Sequence, residues 1–128
     1  MSWDDPRPMS PHLQVYKLPI TAKLSILHRG TGGALFLGLI LMIAVLASAA
    51  SGPESWASMH SFLSGFFGQL IIFGFTFALY YHACNGVRHL FWDIGKGLDL
   101  ENARKSGVAV LIASVVLTLL TWLIAALV

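Results

Sequence analysis

Charge is scarce in this chain. Only 11% of its 128 residues are Asp, Glu, Lys or Arg, whereas a soluble domain carries about a quarter. A single cysteine, Cys84, excludes an internal disulfide and any in-chain cysteine cluster for zinc or iron–sulfur. No long run of like charge occurs, and a net charge of +2 is too small to suggest a nucleic-acid partner. The first eleven residues are polar and include Asp4, Asp5 and three prolines, so neither an apolar signal peptide nor an Arg-rich, acid-poor import sequence is expected there. Internal repeats and low-complexity tracts are absent as well.

Apolar residues are abundant, at 56%. Residues 30–53, 55–87 and 106–128 carry no charge, and each stretch exceeds the roughly 20 residues that a helix needs to cross a bilayer core. The pattern predicts an all-α membrane protein of one domain, with spans near 30–50, 64–92 and 107–127. Pro6, Pro8, Pro11 and Pro19 block helix repeatedly, so residues 1–19 read as a tail and 20–29 as an interfacial helix start. Gly52-Pro53 and Gly95-Lys96-Gly97 mark the two connections, both expected as loops. Arg7, Lys17, Lys23, Arg29, Arg88, Lys96, Arg104 and Lys105 all lie before the first span or about the second connection. The positive-inside rule then puts the amino terminus and second connection in the cytoplasm and the carboxyl terminus opposite.

One stretch concentrates the chemistry: His82-Ala-Cys-Asn-Gly86-Val-Arg88-His89-Leu-Phe-Trp92-Asp93. His82, Gly86 and His89 share a helix face. His82 lies about 15 Å of helix rise from Trp92, an interfacial anchor, which puts an imidazole inside hydrocarbon. Such a group is costly there. Either it bonds a neighbouring helix, or it is an axial haem ligand beside a glycine that gives the porphyrin clearance. His89, about 10.5 Å further along, cannot bind the same iron. Arg88 and His89 stand at the membrane edge, where cations pair with haem propionates; snorkelling to headgroups accounts for Arg88 equally well. His28, His60 and His12 offer no convincing opposite ligand, so a bis-histidine haem would draw its second nitrogen from another chain.

Ser25, His28 and Arg29 form a second polar cluster on the same side. Ser25 and Arg29 could donate to a quinone carbonyl. Spacing alone favours the plainer reading, a backbone-bonded serine and an anchoring arginine. Asp93 is either a helix-end carboxylate or a partner for Arg88 or Arg29.

Ser25-Ile-Leu-His28-Arg29-Gly-Thr31-Gly32, together with His82-x-x-x-Gly86-x-Arg88-His89-Leu-x-Trp92-Asp93, resembles the cytochrome b membrane-anchor subunits of succinate dehydrogenase. Arg7-Pro8-Met-Ser10-Pro11-His12-Leu-x-Val-Tyr16 is similar to that family's amino-terminal segment. The resemblance implies a four-subunit succinate:quinone oxidoreductase. A flavoprotein would oxidise succinate, and an iron–sulfur subunit would pass electrons to ubiquinone. This chain and a second small anchor subunit would form a helix bundle around haem b and dock the soluble pair on the cytoplasmic face. It further implies that His82 is the haem iron ligand, that His28, Arg29 and His89 lie near the propionates, and that Ser25 and Arg29 line the ubiquinone site. On that basis the chain is expected to be a subunit without a complete active site of its own. The expected location is a bacterial inner membrane in preference to a mitochondrial one. A haem-free structural anchor and a free-standing membrane cytochrome are the competing readings. A small transporter ranks last, since the spans lack other ionisable groups or breaks at mid-membrane.

Overall fold

Chain-breaking residues set the element boundaries. The computed structural model describes residues 17–128; residues 1–16 of the amino-terminal tail, and with them the block from Arg7 to Tyr16, lie outside the described residues. Helix α1 (Ile20–Ala50) starts directly after Pro19, whose carbonyl accepts from the backbone N–H groups of Ala22 and Lys23. It stops at Ser51, and Gly52 then takes a φ of 112°, which only glycine adopts readily. Pro53 opens α2 (Pro53–Ser64) at a position where its missing N–H costs nothing. Gly65 alone separates α2 from α3 (Phe66–Asp93). Gly95 and Gly97, both at positive φ, turn the chain into α4 (Leu100–Leu127), whose N-cap is Asp99.

Among the described residues there is no strand, and α1, α3 and α4 are each long and apolar enough to cross a membrane. The chain is thus an all-α protein with three candidate spans, as its composition predicts. At 1.5 Å per residue these helices run about 42–46 Å, beyond the roughly 30 Å of a hydrocarbon core, so their ends reach headgroup depth. The stretch between the first two spans, expected as a loop, is helical instead. Pro53 at the first turn and Glu54 beside the positive end of the helix dipole both favour that start.

The three long helices run up, down and up. Tyr81 meets Leu24 and Phe75 meets Gly38, so α3 descends beside α1. Arg88 meets Ser106 and Thr76 meets Trp122, so α4 rises beside α3. Leu24 lies against Gly107, bringing the starts of α1 and α4 to the end of the bundle where α3 finishes.

Burial is inverted relative to a soluble protein. Leu24, Tyr81 and Val110 are the buried core, with Phe77, Cys84 and Leu111 packed on them. The other buried side chains include Thr31, Ser48, Asn85, Arg88, Ser114 and Thr118, all polar, while most large apolar side chains face outward. Such seams of small and hydrogen-bonding residues are how helices associate in lipid. Ser114 and Thr118 donate to carbonyls of their own helix. Tyr80 Oη pairs with Thr121 Oγ1 at 2.7 Å, and the Trp122 indole donates to Thr76 Oγ1 at 3.3 Å, joining α3 to α4. At the end of the bundle where α3 begins, Ser48 donates to the Ser55 carbonyl at 2.8 Å, and Gln69 Nε2 donates to the Leu63 carbonyl at 2.9 Å, which fastens α2 on both sides.

Two predictions follow from these joints. A Cβ at Gly68 would collide with the Phe62 carbonyl and the Leu63 backbone, whereas one at Gly74 would meet open space. Gly68→Ala is therefore expected to destabilise the protein by about 1–3 kcal/mol and Gly74→Ala to be neutral or nearly so, read by denaturation in mixed micelles. Asp99 accepts from the Asn102 backbone N–H at 2.9 Å and from its side-chain amide at 2.6 Å. These bonds hold its carboxyl below the usual carboxylate range. A depressed value means the cap is intact at neutral pH and is lost as the pH falls through that value. Amide-exchange protection in the first turn of α4 should accordingly persist into the mildly acid range and drop only below it.

Candidate functional site

The antiparallel pairing of α1 and α3 carries the first third of one to the last third of the other, and three histidines meet there. The His28 and His82 rings stack with centroids 4.0 Å apart and planes 16° from parallel. His89 stands beyond them, its centroid 5.4 Å from that of His28. The approach depends on Gly32, where a Cβ would lie 3.1 Å from His82 Cε1. Any larger residue there would press the imidazole aside.

Hydrogen bonds fix the state of the His82 ring. Its Nδ1 is 3.2 Å from the His28 carbonyl oxygen and 3.3 Å from Thr31 Oγ1. Thr31 itself donates to that same carbonyl at 2.9 Å. A carbonyl can only accept, so Nδ1 of His82 carries the proton. In the neutral ring this leaves the lone pair on Nε2, the arrangement in which a histidine binds a metal through one nitrogen while the other is held by a backbone carbonyl. His28 Nδ1 is buried and has no hydrogen-bond partner among the described residues. Also among the described residues, no group of three or more His, Cys, Asp or Glu side chains could hold a metal ion.

Ser25 and Arg29, one turn apart, are exposed on α1 beside this cluster, and His89 is exposed on α3. A Cβ at Gly30, Gly33 or Gly86 would meet nothing within 4 Å. The histidine end thus presents polar groups next to unoccluded backbone. The structure brings His28, His82 and His89 together, with Ser25 and Arg29 on the adjoining surface of α1.

Arg88 is not part of that group. Six residues after His82 is about 120° around the helix, whereas His89 returns to within about 20°. The Arg88 guanidinium faces α4: Nε donates to Ser106 Oγ at 2.9 Å, Nη2 to the Ala103 carbonyl at 2.6 Å, and Nη1 to Asn85 Oδ1 at 3.2 Å. It also lies 4.0 Å over the Trp92 ring, and the Trp92 indole donates to the Gly97 carbonyl at 3.1 Å. Tyr81, with no solvent exposure, donates its hydroxyl to the Leu24 carbonyl at 2.8 Å. Reading from the sequence gave no role to Tyr81, Asn85, Thr31 or Ser106. The signal was present for two of these positions: Tyr81 and Asn85 form, with Arg88, a polar stripe at helical spacing in an apolar segment.

Known proteins extend this picture. The family described as succinate dehydrogenase/fumarate reductase transmembrane subunit matches residues 4–121. The chain is 44% identical over 118 residues to the succinate dehydrogenase cytochrome b556 subunit of Paracoccus denitrificans, covering 92% of this chain and 91% of that one. It is 40% identical over 116 residues to the subunit of the same name from Rickettsia felis, covering 91% and 90%. Similarity to the mitochondrial cytochrome b560 subunit of Bos taurus is 42% over 114 residues, covering 85% of this chain and 66% of that one.

Beyond the bonds of His82 itself, the Tyr81 hydroxyl ties α3 to α1 beside the histidines. Tyr81→Phe removes it without removing the ring, and is expected to cost about 1 kcal/mol in micellar denaturation with helix content unchanged by circular dichroism.

Proposed function

The chain belongs to the succinate dehydrogenase/fumarate reductase transmembrane-subunit family, and from that premise we propose that it is the membrane-anchor cytochrome b subunit that helps carry electrons from succinate to ubiquinone. Its partners on this reading are a flavoprotein, an iron–sulfur subunit and a second small membrane anchor, with the bilayer around them. The three apolar helices suit a multi-pass protein. We assign it to the cytoplasmic membrane of a bacterium, with the amino terminus and the α3–α4 connection on the cytoplasmic side, where the basic residues collect.

The residues at the histidine end fit one side of a haem b, and the observation that carries the reading is the approach of His82 Nδ1 to the His28 carbonyl at 3.2 Å, which leaves Nε2 the free nitrogen. Bound there, haem b would supply an iron that takes up and releases single electrons. His82 would hold the iron through Nε2, with the His28 carbonyl holding the ring's tautomer and orientation. A further ligand would come from the second anchor subunit. His28, whose Nδ1 lacks a partner, would face the propionates with Arg29 and His89. Arg88 is directed to α4 and is left out of that set.

Ser25 and Arg29 would bind ubiquinone. A hydroxyl and a guanidinium one turn apart can both donate to one carbonyl oxygen, and the cation stabilises the negative charge that develops there on reduction. Their exposure on α1 fits a site completed by other subunits.

A reduced-minus-oxidised spectrum of the purified complex tests the haem assignment. Wild type is expected to show a b-type band that is lost or shifted in His82→Ala. An unchanged mutant spectrum would move the ligand elsewhere, and no band in the wild type would leave a haem-free structural anchor. For the quinone site, Arg29→Leu is expected to lower kcat/KM for ubiquinone by about 10–100-fold, the worth of a hydrogen bond to a charged group. Succinate oxidation with a soluble acceptor should stay unchanged.

A further inference from the structure

Arg88 is 6% exposed, and its partners among the described residues are all neutral: a hydroxyl, an amide oxygen, a backbone carbonyl and an indole face. A buried cation held only by dipoles keeps a net charge that favours an anion nearby. Its guanidinium forms part of the wall of a crevice between the end of α3 and the start of α4, with a volume of about 420 Å³. Toward the bilayer interior the wall is apolar, from Val87, Ala109 and Val110; toward the connection it carries Lys96 and Lys105. No acidic side chain lines it. Of the nearby carboxylates, Asp99 caps α4, and Glu101 pairs with the rim's own Lys105 at 2.6 Å. That ion pair is largely exposed on both sides, so it holds the lysine only weakly.

A ligand suited to this crevice is anionic at one end and hydrocarbon at the other. It lies at the depth where Trp92 marks the membrane boundary. We propose that the α3–α4 crevice binds one anionic phospholipid, its phosphate held by Lys96 and Lys105 in the field of Arg88 and an acyl chain running along Val87 and Ala109. Lys96 sits on a turn fixed by Gly95 and Gly97 and tied back by the Trp92 indole, and Lys105 sits near the start of α4, so the basic rim is held in place before lipid arrives. The proposal rests on the membrane-spanning reading of α3 and α4 and is independent of the haem and quinone assignments.

The test uses the assembled complex, purified in mild detergent, stripped of loose lipid and exposed to vesicles of phosphatidylglycerol or of phosphatidylcholine. Retained lipid is counted by mass spectrometry. Wild type is expected to keep one tightly held phosphatidylglycerol for each copy of this chain and to discriminate against phosphatidylcholine. The double variant Lys96→Gln, Lys105→Gln should bind it about tenfold more weakly or worse. Ala109→Phe, which fills the apolar part from an exposed position, should displace it with the rim intact. Equal retention by wild type and both variants overturns the proposal, as does equal retention of the two lipids. A photoreactive residue in place of Ala109 supplies an independent reading: cross-linking to lipid supports the site, and cross-linking to a polypeptide shows that a protein partner fills the crevice instead.

Discussion

Hydrocarbon will not solvate a hydrogen-bonding group, and the architecture of this chain follows from that constraint. Burying Leu or Ile between helices gains little when lipid tails are just as apolar. The inside of the bundle is accordingly where Tyr81, Asn85, Arg88, Ser114 and Thr118 meet, each with a partner. Glycine at 32, 38 and 107 brings neighbouring elements close enough for contact. The outward Leu, Ile and Phe side chains dissolve the assembly in the membrane and contribute little to choosing its shape.

Two polar faces on α3 divide the work. One, through His82 and His89, is turned toward α1 and the open surface beyond it. The other, through Tyr81, Asn85 and Arg88, fixes α3 between α1 and α4. The second face makes the first usable, because the stacking of His28 on His82 survives only while the register of α1 against α3 is held.

The spans were legible because charge-free runs of more than twenty residues have one common explanation in a chain this apolar. The shared face of His82 and His89 was legible because they differ by seven residues, nearly two full turns, whereas the stacking of His28 on His82 depends on how α1 meets α3 and was not. Arg88 stands next to His89 in sequence, but adjacency is about 100° on a helix, and its guanidinium is directed to α4 while His89 looks elsewhere. Helix α2 was missed because no charge pattern or long apolar run marks it, only Pro53 and Glu54 at its start. Tyr81 went unassigned because a tyrosine in an apolar segment gives no sign of which helix its hydroxyl will find. The backbone acceptor at Leu24 has no signature in the residue letters at all.

The partner of His82 Nδ1 is the main chain of residue 28. Side chains can be replaced one codon at a time, but a carbonyl on a helix cannot be mutated away. The protonation pattern of His82 is thus inherited with the path of α1 and not with the identity of any residue on it. Position 28 can change its imidazole, and whatever that ring binds, without disturbing the tautomer of its neighbour. Drift along α1 is free to retune the surroundings of the ring while the chemical character of Nε2 stays constant.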